Sequence, residues 1–216
     1  MFNLGIPTLI ARIIVLLTSF SIHEFAHAWT ADQFGDDTPR QNGRLTLNPL
    51  AHLDPMGSLM LIVAGFGWAK PVPINPYALN RRAASGVMWV SLAGPLSNMI
   101  MAVLAAIPFR LGLVSLNDAY TSTSTILPSM PELLLEFIYI NLILMLFNLI
   151  PLAPLDGDKI LDYFLPSNWS RTFETIRPYG PMILLALLFI FPLIGIDIIG
   201  SILGPPMRLL LELLLT

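Results

Sequence analysis

His23-Glu24-Phe25-Ala26-His27 stands inside an almost unbroken apolar run. The run opens Ile6-Pro7-Thr8-Leu9-Ile10-Ala11-Arg12-Ile13-Ile14-Val15-Leu16-Leu17 and continues to about Thr30. A helix over 6–30 rises about 1.5 Å per residue and easily crosses a hydrocarbon core of about 30 Å. Pro7 suits its first turn, where a missing N–H costs nothing. Arg12 and the His23–His27 group interrupt the apolar pattern. Ionisable side chains inside a span are expensive, so they face the bundle interior and mark function. His23 and His27 are four apart, which puts both imidazoles on one face of the helix. Glu24 sits one step round and can reach a water on a shared metal. This is the H-E-x-x-H arrangement of two nitrogen ligands and one general base. Zinc suits it, because catalytic zinc keeps one position open for water and lowers that water's pKa to about 7. Three fixed positions also arise by chance in soluble helices. Here the chain has 3 His, two of them in this pair, and an unpaired Glu in a span would be costly.

The rest of the chain agrees with a membrane setting. Of 216 residues, 55% are hydrophobic and 12% are charged, against about 25% charged in soluble domains. The net charge of -3 and the lack of a basic cluster argue against a nucleic-acid partner. With 0 Cys, disulfides and thiolate metal sites are excluded. The N-terminus lacks a basic n-region and a small-residue cleavage site, so the first apolar segment reads as a permanent helix and not as a cleaved signal.

Working outward, residues 32–49 are polar and rich in Gly, Pro, Asn and Asp, a solvent loop. The short apolar piece at 59–63 cannot span. Lys70-Pro71-Val72-Pro73-Ile74-Asn75-Pro76 carries three prolines and forbids a helix. Residues 51–76 are therefore expected to be re-entrant and partly extended, close to the active site. Irregular backbone at membrane depth is tolerated only beside protein or a wet cavity. Further spans are expected at 86–109, at 132–150 and at 182–199, the last bent at Pro192. The stretch 158–178 reads as amphipathic and loop-like, and the apolar tail 201–216 as a half-span or interfacial segment. The expectation is one all-α membrane domain over 1–216, a bundle of about four to six helices. Arg40, Arg44, Lys70, Arg81, Arg82, Lys159, Arg171 and Arg177 fall on one side of this topology. The positive-inside rule makes that side cytoplasmic, and the His23–His27 end of the first span lies near it.

Two ligands are too few for catalytic zinc, which takes three from the protein. The candidates are His52, Asp54, Asp156, Asp158, Asp162 and Asp197. Asp197 lies at the wrong end of its span. Asp156 follows a Pro-x-x-Pro break at the depth of the His pair, and spacing favours it only modestly. His52 reads equally as a group near the site and as a loop His bonded to Asp54 or to a backbone carbonyl. Asn98 and Asn141 read as hydrogen-bonding glue between helices. Arg12 reads as paired with backbone or snorkelling.

A resemblance adds to this. His23-Glu24-Phe25-Ala26-His27 and Asn148-Leu149-Ile150-Pro151-Leu152-Ala153-Pro154-Leu155-Asp156-Gly157 are similar to the two motifs of the site-2 protease family of intramembrane metalloproteases, in its short bacterial-type form. Gly43-Arg44-Leu45-Thr46-Leu47-Asn48-Pro49, Gly65-Phe66-Gly67 and Ser91-Leu92-Ala93-Gly94-Pro95 extend the resemblance over most of residues 18–162. It implies that His23, His27 and Asp156 bind one Zn2+, that Glu24 is the catalytic base, and that Asn148 stands near the substrate or the developing oxyanion. It also implies hydrolysis of peptide bonds in or near transmembrane segments, with single-span membrane proteins as substrates and a bacterial inner membrane as location. Asp158 departs from the pattern, where many relatives have a second Gly. No stretch of the chain matches the PDZ or CBS domains of longer members. A metal-binding transporter and an inactive relative that binds transmembrane helices are the rival classes. The first leaves Glu24 unexplained, and the intact motifs argue against the second.

Overall fold

The apolar run around the His pair forms one helix, Ile6–Gln33, in the computed structural model of the chain, which describes residues 5–57, 60, 67–121 and 126–216. Pro7 occupies its first turn. The helix stops where Gly35 takes φ 85°, a left-handed conformation that only a side chain without Cβ adopts cheaply. Four more helices are long and apolar enough to cross a membrane: Gly86–Arg110, Met130–Asn148, Ser167–Leu193 and Ile198–Leu215. We call the five the first to fifth spans. No strand occurs among the described residues. The expected all-helical polytopic bundle is what the chain builds.

Local chemistry sets the span ends. The third begins at Ser129-Met130-Pro131-Glu132, where the Ser129 hydroxyl accepts the Glu132 N–H and Pro131 fills the first turn. The fifth begins at Asp197, whose Oδ1 accepts the Gly200 N–H at 2.8 Å.

The first three spans pack on one another, and the fifth lies against the second and third. Ala102, Ala105, Ala106 and Phe109 of the second meet Ile138, Leu142 and Met145 of the third and Met207 and Leu214 of the fifth. Small residues bring the backbones close, which lipid-embedded helices need because no hydrophobic effect drives them together. Arg12 pairs with an acid on a neighbouring span. Its Nε lies 3.2 Å from Glu136 Oε2 on the third span. One turn away, Thr8 Oγ1 donates to Glu132 Oε1 at 2.8 Å. These polar contacts tie the first span to the third at the end away from the His pair.

Three boundaries differ from the sequence expectation. Residues 158–178 are mostly helical, as Asp156–Phe164 and Ser167–Ile176. Their polar residues recur on one face, which is a helix pattern in itself. The second of these helices is the start of the fourth span, which runs on through Arg177–Tyr179 and Gly180–Leu185 and ends at Leu193 and not at 199. The break falls beyond Pro192, where Gly195 takes φ 82°. The tail is thereby freed to start at Ile198 and form an 18-residue helix of spanning length.

Of the expected re-entrant element, 58–59 and 61–66 lie outside the described residues. The remainder holds a 3-10 turn at Pro49–Ala51, an isolated antiparallel bridge between Leu53 and Ala69, and extended backbone at 70–75. Lys70 N–H donates to the His52 carbonyl at 2.7 Å, and the Lys70 carbonyl accepts from Arg44 Nη2. The Asn75 N–H donates to Asp36 Oδ2 at 2.6 Å, which holds the extended piece beside the end of the first span.

Candidate metal centre

His23 Nε2 and His27 Nε2 lie 3.0 Å apart. Asp156 Oδ2 lies 3.2 Å from each. All three residues are buried, and their ligand atoms fall within 4.8 Å of one another. Asp156 reaches this depth because the third span stops at Asn148 and the chain crosses the Pro151–Pro154 break. A new helix then starts at Asp156. Gly157 lets that start sit on the end of the third span: a Cβ there would lie 2.6 Å from the Ile150 carbonyl carbon.

Three lone-pair acceptors meeting this closely repel one another unless a metal cation or a proton lies between them. His27 Nδ1 is 2.7 Å from the Val90 carbonyl, which can only accept, so Nδ1 carries the proton. In the neutral ring Nε2 then presents its lone pair. His23 Nδ1 is 2.6 Å from Asn98 Oδ1, the same arrangement. Asp156 Oδ2 is buried and has no hydrogen-bond partner among the described residues. Protonating an imidazole would relieve the contact by pairing it with Asp156. A tetrahedral zinc with bonds of about 2.0–2.1 Å places its ligand atoms about 3.3 Å apart. The observed triangle of 3.0, 3.2 and 3.2 Å matches that spacing. Two imidazoles and one carboxylate, with no thiolate, are a donor set for catalytic zinc.

Glu24, next to His23, is buried at 8% exposure and does not join the triangle. Its charge reaches Arg44, a loop residue that is itself 3% exposed. Burial pushes the Arg44 guanidinium below its ordinary pKa, against the opposing pull of the Glu24 carboxylate. Asn148 is half-buried, and its side-chain amide donates to the Leu144 carbonyl at 2.9 Å.

The other third-ligand candidates have separate tasks. His52 Nε2 bonds the Thr46 carbonyl at 2.7 Å, within the loop that grips Lys70. Asp54 accepts the Gly57 N–H at 2.8 Å, and Asp197 caps the fifth span. Asp158 Oδ2 lies 2.8 Å from Arg177 Nε, and Asp162 Oδ2 lies 3.2 Å from Arg177 Nη2. That cluster locks the helix carrying Asp156 onto the start of the fourth span. Sequence reasoning assigned no site role to Gly94, Val90 or Asn98, all on the second span. The pairing of small Gly94 with a polar Asn98 one turn on was the available signal.

Fold and site together define a polytopic membrane protein with a buried His-His-Asp centre. The model of peptidase family M50 matches residues 111–191. "Putative zinc metalloprotease YwhC" of Bacillus subtilis (strain 168) is 41% identical over 183 residues, 84% of this chain and 80% of that protein. "Putative zinc metalloprotease Rip2" of Mycolicibacterium smegmatis is 33% identical over 178 residues, 80% of this chain and 64% of that protein. Rip2 of Mycobacterium tuberculosis H37Rv is 29% identical over 182 residues. No solved structure gives a significant match. The chain belongs to peptidase family M50, the site-2 protease family of zinc metalloproteases.

Proposed function

We propose that the chain is an intramembrane endopeptidase that hydrolyses peptide bonds in or near the transmembrane segments of other membrane proteins. The observation that carries this is the His23–His27–Asp156 triangle, its two histidines on a helix of spanning length, with Glu24 adjacent. His23, His27 and Asp156 would hold one Zn2+, and Glu24 would act as the general base. A bound zinc would supply an acidified water and a Lewis acid for the carbonyl, and Glu24 would serve there as the group that accepts a proton and hands it to the leaving amine. Asn148 would bind the carbonyl with its second amide N–H, since the first is committed to Leu144.

A substrate helix must unwind before its carbonyl can be attacked, because helical peptide bonds are internally paired. The extended segment 70–75 supports a way to hold the unwound strand. Pro71 and Pro73 have no N–H, while those of Val72 and Ile74 have no partner among the described residues, and alternate residues of an extended chain share an edge. A substrate strand can add to that edge by backbone pairing. Single-span proteins are the expected substrates. The inner membrane of a bacterium, with the site toward the cytoplasm, is the expected location.

The test is reconstitution of the purified protein in liposomes with single-span proteins. Mass spectrometry of the fragments should place the cut within or beside the apolar segment, and Glu24→Gln should abolish it. Metal flux without cleavage would instead identify a transporter. Substrate capture with neither would identify an inactive relative.

A further inference from the structure

The hydrogen bond on His23 does not end at Asn98. Asn98 Nδ2 donates to Asn141 Oδ1 at 2.8 Å, and Asn141 Nδ2 donates to the Phe137 carbonyl at 2.8 Å. The chain thus runs from the first span through the second to the third. Asn98 and Asn141 are both 0% exposed, so no bulk water competes for their amides. The direction of every bond follows from the last one. A helix carbonyl can only accept, so Asn141 must turn its NH2 toward Phe137 and its oxygen toward Asn98. That oxygen also only accepts, so Asn98 must present its NH2 there and its oxygen to His23. His23 Nδ1 is then obliged to donate, and Nε2 is left with its lone pair toward His27 and Asp156. His27 reaches the same state in one step, through the Val90 carbonyl.

We propose that Asn98 and Asn141 form a tautomer lock on His23, and that Asn141, whose hydrogen bonds among the described residues go to Asn98 and the Phe137 carbonyl and to none of the ligands, is a positioning residue for metal binding. The inference rests on the assignment of His23 as a metal ligand. A metal-bound imidazole gains basicity and orientation from an acceptor on its other nitrogen, and losing such a partner costs about 10–100-fold in metal affinity. Glue between helices would need two paired amides in any orientation. A lock needs this orientation alone.

Asn141→Leu removes the acceptor that aligns Asn98, frees that amide to flip, and should weaken zinc binding by about 10-fold in chelator competition. Asn98→Asp gives His23 a carboxylate, which accepts whatever Asn141 does. In that background Asn141→Leu should cost only a small fraction of the same loss. Equal losses in both backgrounds, or unchanged affinity in Asn141→Leu alone, would overturn the lock. A second measurement does not need zinc at all. Nitrogen-15 NMR of the chain, which has 3 His, reads the tautomer of His23 directly. The Nδ1–H form should dominate in the wild type and share the population with the Nε2–H form in Asn141→Leu. The same tautomer distribution in both proteins would sink the proposal. A wild type that binds no zinc would refute the ligand assignment, and the NMR result would still decide the lock.

Discussion

The α-carbon of Gly94 faces the two imidazoles of the first span so closely that a Cβ there would lie 2.5 Å from His27 Cε1 and 2.6 Å from His23 Cε1. Gly94 is therefore the gap into which the ligand rings fit. Gly94→Ala should improve the second span as a helix by about 1 kcal/mol. It should nevertheless displace at least one imidazole. The expected outcome is a protein with unchanged helicity that no longer retains zinc through purification. Wild-type zinc content in Gly94→Ala would mean that the rings sit elsewhere.

Arg177 should matter for stability out of proportion to its place near the surface. Its partner Asp158 has a side chain only 6% exposed. Removing the guanidinium strands a carboxylate in a site that gives it little water. Arg177 is itself 33% exposed, so the cost should fall below the 3–5 kcal/mol of a fully buried pair, at about 2 kcal/mol. Thermal unfolding in detergent should show Arg177→Met melting lower than wild type. Arg177→Met with Asp158→Gly should recover part of the loss, because the stranded charge is gone. Asp156 begins the same helix, so zinc affinity should fall with the single variant.

The topology can be mapped without removing any native thiol, because the chain has 0 Cys. Tyr77 is 85% exposed on the side with the basic residues, and Leu113 is 75% exposed in the loop after the second span. Tyr77→Cys should react with a membrane-impermeant maleimide only after cells are opened, and Leu113→Cys should react in intact cells. The reverse pattern would invert the orientation and place the His pair near the outer face.

The parts legible in the sequence were those that local chemistry decides. An apolar run of membrane length with His at i and i+4 has one economical reading, and the helix at Ile6–Gln33 follows it. Asp156 was harder, because its approach to the His pair depends on how a Pro-broken connection folds back. Spacing could only rank it among several acids. The stretch after it reads as amphipathic, and Asp156–Phe164 and Ser167–Ile176 are amphipathic helices; only its loop-like half fails, because the polar residues fall on one helical face. Asn98 and Asn141 were visible as polar residues in apolar spans. The hydrogen-bond chain that runs from His23 through Asn98 to Asn141 needs three helices in register, and no local pattern reports that.

The central claim is that His23, His27 and Asp156 hold one zinc while Glu24 does chemistry without holding it. Metal analysis of the purified wild type, Glu24→Gln and Asp156→Ala tests it most directly. The account predicts about one zinc per chain in the first two and almost none in the third, as a site of three protein ligands requires. Equal zinc in all three proteins, or loss of zinc in Glu24→Gln, would contradict it.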